Sequence, residues 1–182
     1  MSAPPYQAFL LVDGYNIIGS WSDLKKSRDR HGLEIARNGL IESLVNFAPM
    51  VDYRTKIVFD AHFQNTPSYS EEYTPLVSVH FTAFAETADT YIEKFCADFK
   101  STQYQEQSSR LIVATNDRAQ KLTVTGYGAE CISAQRLAGE VEITSRRAKR
   151  NERPAKKSAG RFLFHALDPI AQERFRQMRQ GK

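Results

Sequence analysis

The chain has 182 residues, 41% of them hydrophobic and 25% charged, which suits one globular domain with a single core and excludes a low-complexity chain. No run approaches the length of a transmembrane helix, and the opening Met1-Ser-Ala-Pro-Pro-Tyr-Gln-Ala8 lacks a charged n-region, so neither a membrane span nor a signal peptide is expected. The net charge of +4 conceals an asymmetry, because residues 145–161 hold eight Lys/Arg against one Glu, +7 in all, and leave −3 for the rest.

The apolar run Phe9-Leu-Leu-Val-Asp13 stops at an acid and turns through Gly14 towards Asn16, the pattern of a buried strand bounded by a turn. In open α/β sheets ligands sit beyond the carboxyl ends of the strands, so Asp13 is a candidate for chemistry. An acid in that place also serves simply as a helix or turn cap. A polar loop is expected over 19–31, then a helix from about Leu33 to Ala48. Its apolar positions Leu33, Ala36, Leu40, Ile41, Leu44 and Val45 recur in steps of three and four. Arg37 lies off that stripe, facing either water or the acids.

A second strand, Lys56-Ile-Val-Phe-Asp60, again ends in an acid. Residues 61–75 read as a long polar loop without periodicity, a kind often functional; Tyr69 and Tyr73 in it could stack unpaired bases. A third strand over about 76–81 leads into a helix from Thr87 to about Lys100. There Glu86, Asp89 and Glu93 share one face, while Ala88, Ile92, Phe95 and Phe99 form the packing stripe with Cys96. Acids at a helix start are also favoured by its dipole alone.

Leu111 to Ala114 forms a fourth strand, delivering Thr115, Asn116 and Asp117 before a helix over about 118–125. A short fifth strand follows, and Ser133 caps a helix carrying the basic run, which Pro154 interrupts. A final short helix is expected from Asp168. The division is residues 1–145 as the main domain and 146–182 as a basic helical extension. Cys96 and Cys131, 35 residues apart, have no ligand spacing and fit a reducing, cytoplasmic setting.

Strands alternating with helices imply a mostly parallel sheet with helices on both faces, whose strand carboxyl ends share one edge. Asp13, Asp60, Asp117 and the Glu86/Asp89 pair then converge. Several carboxylates in one cleft repel, and either some protonate or a cation neutralises them. Oxygen-only ligands suit Mg²⁺ or Mn²⁺; zinc is disfavoured, since His31, His62, His80 and His165 have no ligand spacing. Acids, a divalent ion and a basic segment point to phosphodiester hydrolysis, with Arg146, Arg147, Lys149, Arg150, Lys156 and Lys157 as the RNA-binding cations. A solvated helix end is the plainer reading of that run.

Asp13-Gly-Tyr-Asn16, Phe59-Asp-Ala-His62, Glu86-Thr-Ala-Asp89 and Ala114-Thr-Asn-Asp117, in this order, resemble the YacP-like NYN group of PIN-like nucleases. Glu34-Ile-Ala-Arg37 and the basic carboxyl-terminal helix are similar too, so the resemblance covers roughly residues 8–180. It implies a three-layer α/β/α PIN-like fold and metal-dependent cleavage of single-stranded RNA, messenger RNA in a ribosome-associated context. Asp13, Asp60, Asp89 and Asp117 would be the metal-binding acids with Glu86 supporting them. Asn16 would orient Asp13 or touch the scissile phosphate, Thr115 would hydrogen-bond near the metal, and His62 would be a hydrogen-bonded loop residue or reach substrate. Asn116 stands where the family pattern leads one to expect Ser. Two rivals are a non-catalytic RNA- or ribosome-binding module on the same fold, and a structure-specific DNA nuclease, for which the chain lacks room for extra DNA-binding helices.

Overall fold

A computed structural model of the chain describes residues 6–61, 66–101 and 110–152. Strand β1 (Ala8–Asp13) is buried at every position, which is why it reads as a continuous apolar run rather than an alternating one. It pairs in parallel with β2 (Tyr53–Phe59) on one side and β5 (Leu111–Ala114) on the other. Strands β4 (Val77–Phe81) and β6 (Glu130–Ile132) extend the parallel sheet outwards, and β3 (Tyr69–Thr74) closes one edge antiparallel to β4. The order β3-β4-β2-β1-β5-β6 makes β1 the strand from which the chain winds first one way, then the other. That reversal opens a crevice beyond the carboxyl ends of β1, β2 and β5.

Helices cover both faces, giving the expected three layers with a mostly parallel sheet. On one face α1 (Gly14–Ser20), α3 (Leu33–Val51) and the start of α6 (Ala134–Glu152) pack Ile17, Leu40, Leu44 and Leu137 on Leu10, Val12, Ile57 and Phe59. On the other, α4 (Ala88–Asp98), a 3₁₀ turn (Phe99–Ser101) and α5 (Arg118–Gly126) pack Ile92, Cys96, Phe99 and Val124 on Phe9, Leu11, Val58 and Val113. Cys96 is therefore a core residue, its thiol pushed up to about 12 chiefly by burial. The strand alternation assigns the faces: Val77 and Val79 join the first core, while His80 points to the α4 side.

Two segments differ from the sequence expectation. Residues 19–31 are helical: α1 runs to Ser20 and α2 covers Ser22–His31 without one buried residue, so it offers no apolar stripe to read. Its Asp23 lies in the first turn and Arg28, Arg30 and His31 in the last, as the helix dipole favours. Within the polar stretch 61–75, Tyr69–Thr74 is a strand exposed on both faces, and such polar edges discourage pairing with other chains. Helix α3 also continues past the expected end, through Pro49 to Val51.

The chain divides into two units, residues 1–145 and 146–182. Of the second, only Arg146–Glu152, the end of α6, is described. Arg146, Arg147, Lys149 and Arg150 are helical and exposed there. Lys156, Lys157, Pro154, His62, His165 and the expected helix from Asp168 lie outside the described residues. Among the described residues no helix is long and apolar enough to cross a membrane.

Candidate active site at the carboxyl edge

Strand β1 delivers Asp13 to the crevice, where it is only 8% exposed. The turn that follows needs Gly14, because a Cβ there would overlap the Phe59 ring at the end of β2. Asp13 caps α1, one carboxylate oxygen accepting the Asn16 backbone N–H at 3.3 Å. Asp60, one residue beyond β2, accepts the N–H of Ala88 and so pins the start of α4. Asp89 projects from the first turn of α4 and accepts from the Gln120 side-chain amide. Asp117 caps α5 by accepting the Gln120 backbone N–H at 2.9 Å. Capping and convergence thus hold together: one oxygen of each acid is anchored, and among the described residues the other has no hydrogen-bond partner.

These four carboxylates lie near enough for their charges to act on one another. Burial pushes Asp13 up to about 7, helped by the charges of Asp89, Asp60 and Asp117 and opposed by the Asn16 N–H. Asp89 is raised as well, by burial first and then by Asp117, Asp60 and Glu93, while Gln120 works against the shift. Among the described residues no three His, Cys, Asp or Glu side chains are grouped so that they could hold a metal ion.

Asn16 acts on Asp13 through its backbone. Its side-chain carbonyl accepts the Asn116 N–H at 2.7 Å, which joins α1 to the turn after β5. Asn116 spends its own amide on structure: it donates to Ser20 Oγ at 3.1 Å and accepts the Ala134 N–H at 2.9 Å. A serine hydroxyl is too short to span both elements, so Asn at this position ties α1, β5 and α6 together. The wholly buried Thr115 accepts the Asp117 N–H at 3.0 Å, so it positions Asp117.

Glu86 does not join the four acids. Its carboxylate pairs with Lys94 at 3.0 Å and borders a separate cleft of about 280 Å³ with His80, Tyr91 and Phe95. There His80 stacks on Tyr91 with ring centroids 4.0 Å apart, and Ser70 Oγ lies 2.8 Å from its Nδ1.

Three contributors were not among the expected site residues. Glu93, four residues after Asp89, adds to the negative field at Asp89. Gln120 is 2% exposed, bridges Asp89 and Asp117, and keeps its side-chain carbonyl buried without a partner among the described residues. Its signal was the Asp117-x-x-Gln120 spacing of a capping box, although the side chain reaches Asp89 instead of its own cap. Tyr15 is the third: its hydroxyl receives a hydrogen bond from Arg37 Nη1 at 3.0 Å, which places Arg37 beside the crevice.

The chain is similar to known proteins along nearly its whole length. The YacP-like NYN domain family model matches residues 10–180. YacP of Bacillus subtilis (strain 168) is 34% identical over 174 residues, which is 94% of this chain and 96% of that protein. The crystal structure of Rae1 (YacP) from Bacillus subtilis superimposes with a TM-score of 0.65 at 32% identity over 95% of each chain. A crystal structure of a point mutant of the same Bacillus subtilis protein gives a TM-score of 0.66 at 29% identity, covering 94% of this chain and 99% of that one. Family, sequence relative and structural neighbours span nearly the whole length, and the chain belongs to the YacP-like NYN domain family, a nuclease-like group whose membership points to RNA-related work.

Proposed function

We propose that this chain is a divalent-metal-dependent endoribonuclease that cuts single-stranded RNA in the cytoplasm, with messenger RNA on or near the ribosome as substrate. The observation that carries the reading is Asp13, buried at the strand end with Asp60, Asp89 and Asp117 close by: burial first, and then those three charges, push its carboxyl up to about 7. Carboxylates forced together at this cost to their own ionisation suit a bound cation. The donors are all oxygens and each acid keeps one oxygen uncommitted, although no three of them are grouped as metal ligands among the described residues. Oxygen donors of this kind suit Mg²⁺ or Mn²⁺, and Mg²⁺, which keeps several waters, needs few of them as direct ligands.

When bound, the ion supplies charge stabilisation at the attacked phosphate and acidifies the attacking water. The chain's own residues then have three tasks. Asp13, Asp60, Asp89 and Asp117 hold the charge pattern, each fixed by one anchored oxygen. Gln120 and Thr115 keep Asp89 and Asp117 in place from below. Asn16 has a side-chain NH₂ without a partner among the described residues, and it donates to a phosphate oxygen at the mouth of the crevice. Hydrolysis forms one P–O bond from water and breaks one ester P–O bond, the leaving oxygen taking up a proton.

The test is cleavage of a single-stranded RNA with Mg²⁺ or Mn²⁺ by wild type and Asp13→Asn, beside binding of both proteins in EDTA. Loss of transition-state stabilisation should lower the mutant rate about a hundredfold or more, with affinity unchanged or raised because one repelling charge is gone. A wild type that cuts no RNA, ribosome-bound message included, while both proteins bind equally would leave a non-catalytic binding module. The basic segment is read in the same assay. Neutralising Arg146, Arg147, Lys149 and Arg150 should flatten the salt dependence by about 0.7 log units per log salt for each phosphate that they no longer neutralise; an unchanged slope would make the run a solvated helix end.

A further inference from the structure

An aromatic ladder leads away from the acids along the carboxyl edge. Tyr15, two residues after Asp13, packs on Phe59 with centroids 4.9 Å apart; Phe59, next to Asp60, stacks on Phe81 at 5.7 Å; and Phe81 stacks on Tyr69 at 4.7 Å. The last two rings lie within 19° of parallel, and Tyr69 is 48% exposed on the edge strand β3. Its inner face is covered by Phe81, which leaves a rigid platform turned towards solvent.

Arg37 lies along this ladder. Its guanidinium sits 5.8 Å from the centre of the Phe81 ring and donates one hydrogen bond, to the Tyr15 hydroxyl. Although acids crowd the adjacent crevice, Arg37 has no ion-pair partner among the described residues. A guanidinium carries five N–H donors in a planar fork that matches phosphate. Held over the Phe81 ring and steadied by Tyr15, this one is oriented in advance and has donors to spare.

We infer that Arg37 and Tyr69 form the RNA-holding half of the site, the guanidinium taking a phosphate beside the scissile bond and the Tyr69 ring stacking one unpaired base. The inference rests on the ribonuclease reading and deepens it by giving a structural reason for single-strand preference. A base in a duplex has both faces covered by its neighbours, whereas an unpaired base can lie on an aromatic ring. The platform accepts any base, because every base has a π-face, so the track selects for strandedness rather than sequence.

The experiment titrates a short fluorescent single-stranded oligoribonucleotide, and the same sequence as a duplex, in EDTA over a salt series. Tyr69→Ala should weaken single-strand binding about five- to a hundredfold and leave the duplex unchanged, while Tyr69→Phe, which keeps the ring, should match wild type. Arg37→Gln should weaken binding and reduce the salt slope by about 0.7; Arg37→Lys should restore the slope without the full affinity. Melting temperatures taken alongside identify any variant that fails to fold, and the conservative pair carries the test in that case. Wild-type affinity and slope in both Tyr69→Ala and Arg37→Gln would overturn the inference, as would equal losses in Tyr69→Ala and Tyr69→Phe. The two ideas fail separately. Cleavage that depends on Asp13 with unaltered binding by the Arg37 and Tyr69 variants sinks only the track, whereas an inert wild type whose binding still follows these variants sinks only the nuclease.

Discussion

Two charges on neighbouring strands, one buried and one half-buried, are treated in opposite ways. Lys56 on β2 is drawn below its ordinary value chiefly by burial; the charge of Glu72 is the next largest influence and resists the shift, while Arg54 adds less to it. Its ammonium also donates to the Tyr91 hydroxyl at 3.3 Å and lies 5.2 Å from the centre of the Phe95 ring. Asp13 on β1 is shifted by burial too, yet its charged neighbours Asp60, Asp89 and Asp117 all push the same way, and only the Asn16 N–H resists. The surroundings of Lys56 moderate the penalty of burial; those of Asp13 compound it. A charge that its neighbours partly compensate is accounted for by the fold, and the one that they leave strained is where the proposed ion would act.

The sharpest way to break this contrast is the pH dependence of stability without metal. Asp13 has a folded pKa of about 7 against an ordinary 3.8, so between those values the folded state binds more protons than the unfolded one. Stability therefore rises as pH falls through this window and is lowest above pH 7. Asp13→Asn should remove that slope and raise stability at pH 8 by at most roughly 4 kcal/mol, despite weakening the cap on α1. Millimolar Mg²⁺ or Mn²⁺ should then raise the melting temperature of the wild type more than that of the mutant. Denaturant melts at pH 5 and pH 8, with EDTA and with metal, read both effects. A mutant less stable than wild type at pH 8 in EDTA would show that the cap outweighs the repulsion.

The same contrast explains what could be read from the sequence. Asp13, Asp60 and Asp117 each end a strongly apolar strand, so one fact, that parallel strands share a carboxyl edge, is enough to bring them together. Asp89 was legible because the helical spacing after a third strand is regular. Glu86 shares that spacing but lies before the first turn of α4, and its pairing with Lys94, eight residues on, leaves no sequence mark distinct from many other acid–base pairs. Helix α2 and strand β3 were missed for a common reason: neither buries an apolar face, so periodicity had nothing to register. The long-range ties of Asn116 to Asn16, Ser20 and Ala134 depend on side-chain geometry across three elements, which no local pattern encodes.

The smaller effect tests the compensated side. In Lys56→Met the long side chain still packs on Tyr91 and Phe95, and several contributions change at once. The desolvation penalty of the ammonium is removed, which stabilises the variant; the hydrogen bond to the Tyr91 hydroxyl, the cation–π attraction to Phe95 and the pull of Glu72 disappear, which destabilises it. A partly buried cation–π pair is worth about 1 kcal/mol and acts against the penalty that the substitution removes, so the net change at pH 7 should stay within about 1 kcal/mol. The pH dependence carries the sign. Because the folded pKa of Lys56 lies below 10.5, the wild type gains stability as pH rises from that lowered value to 10.5, where the unfolded state still binds the proton. Lys56→Met should lose that alkaline gain, a difference visible in denaturant melts at pH 7 and pH 10. A destabilisation well above about 2 kcal/mol at pH 7, more than the cation–π pair can supply, would make the ammonium an essential tie between β2 and α4, and Lys56 would then no longer serve as the compensated counterpart of Asp13.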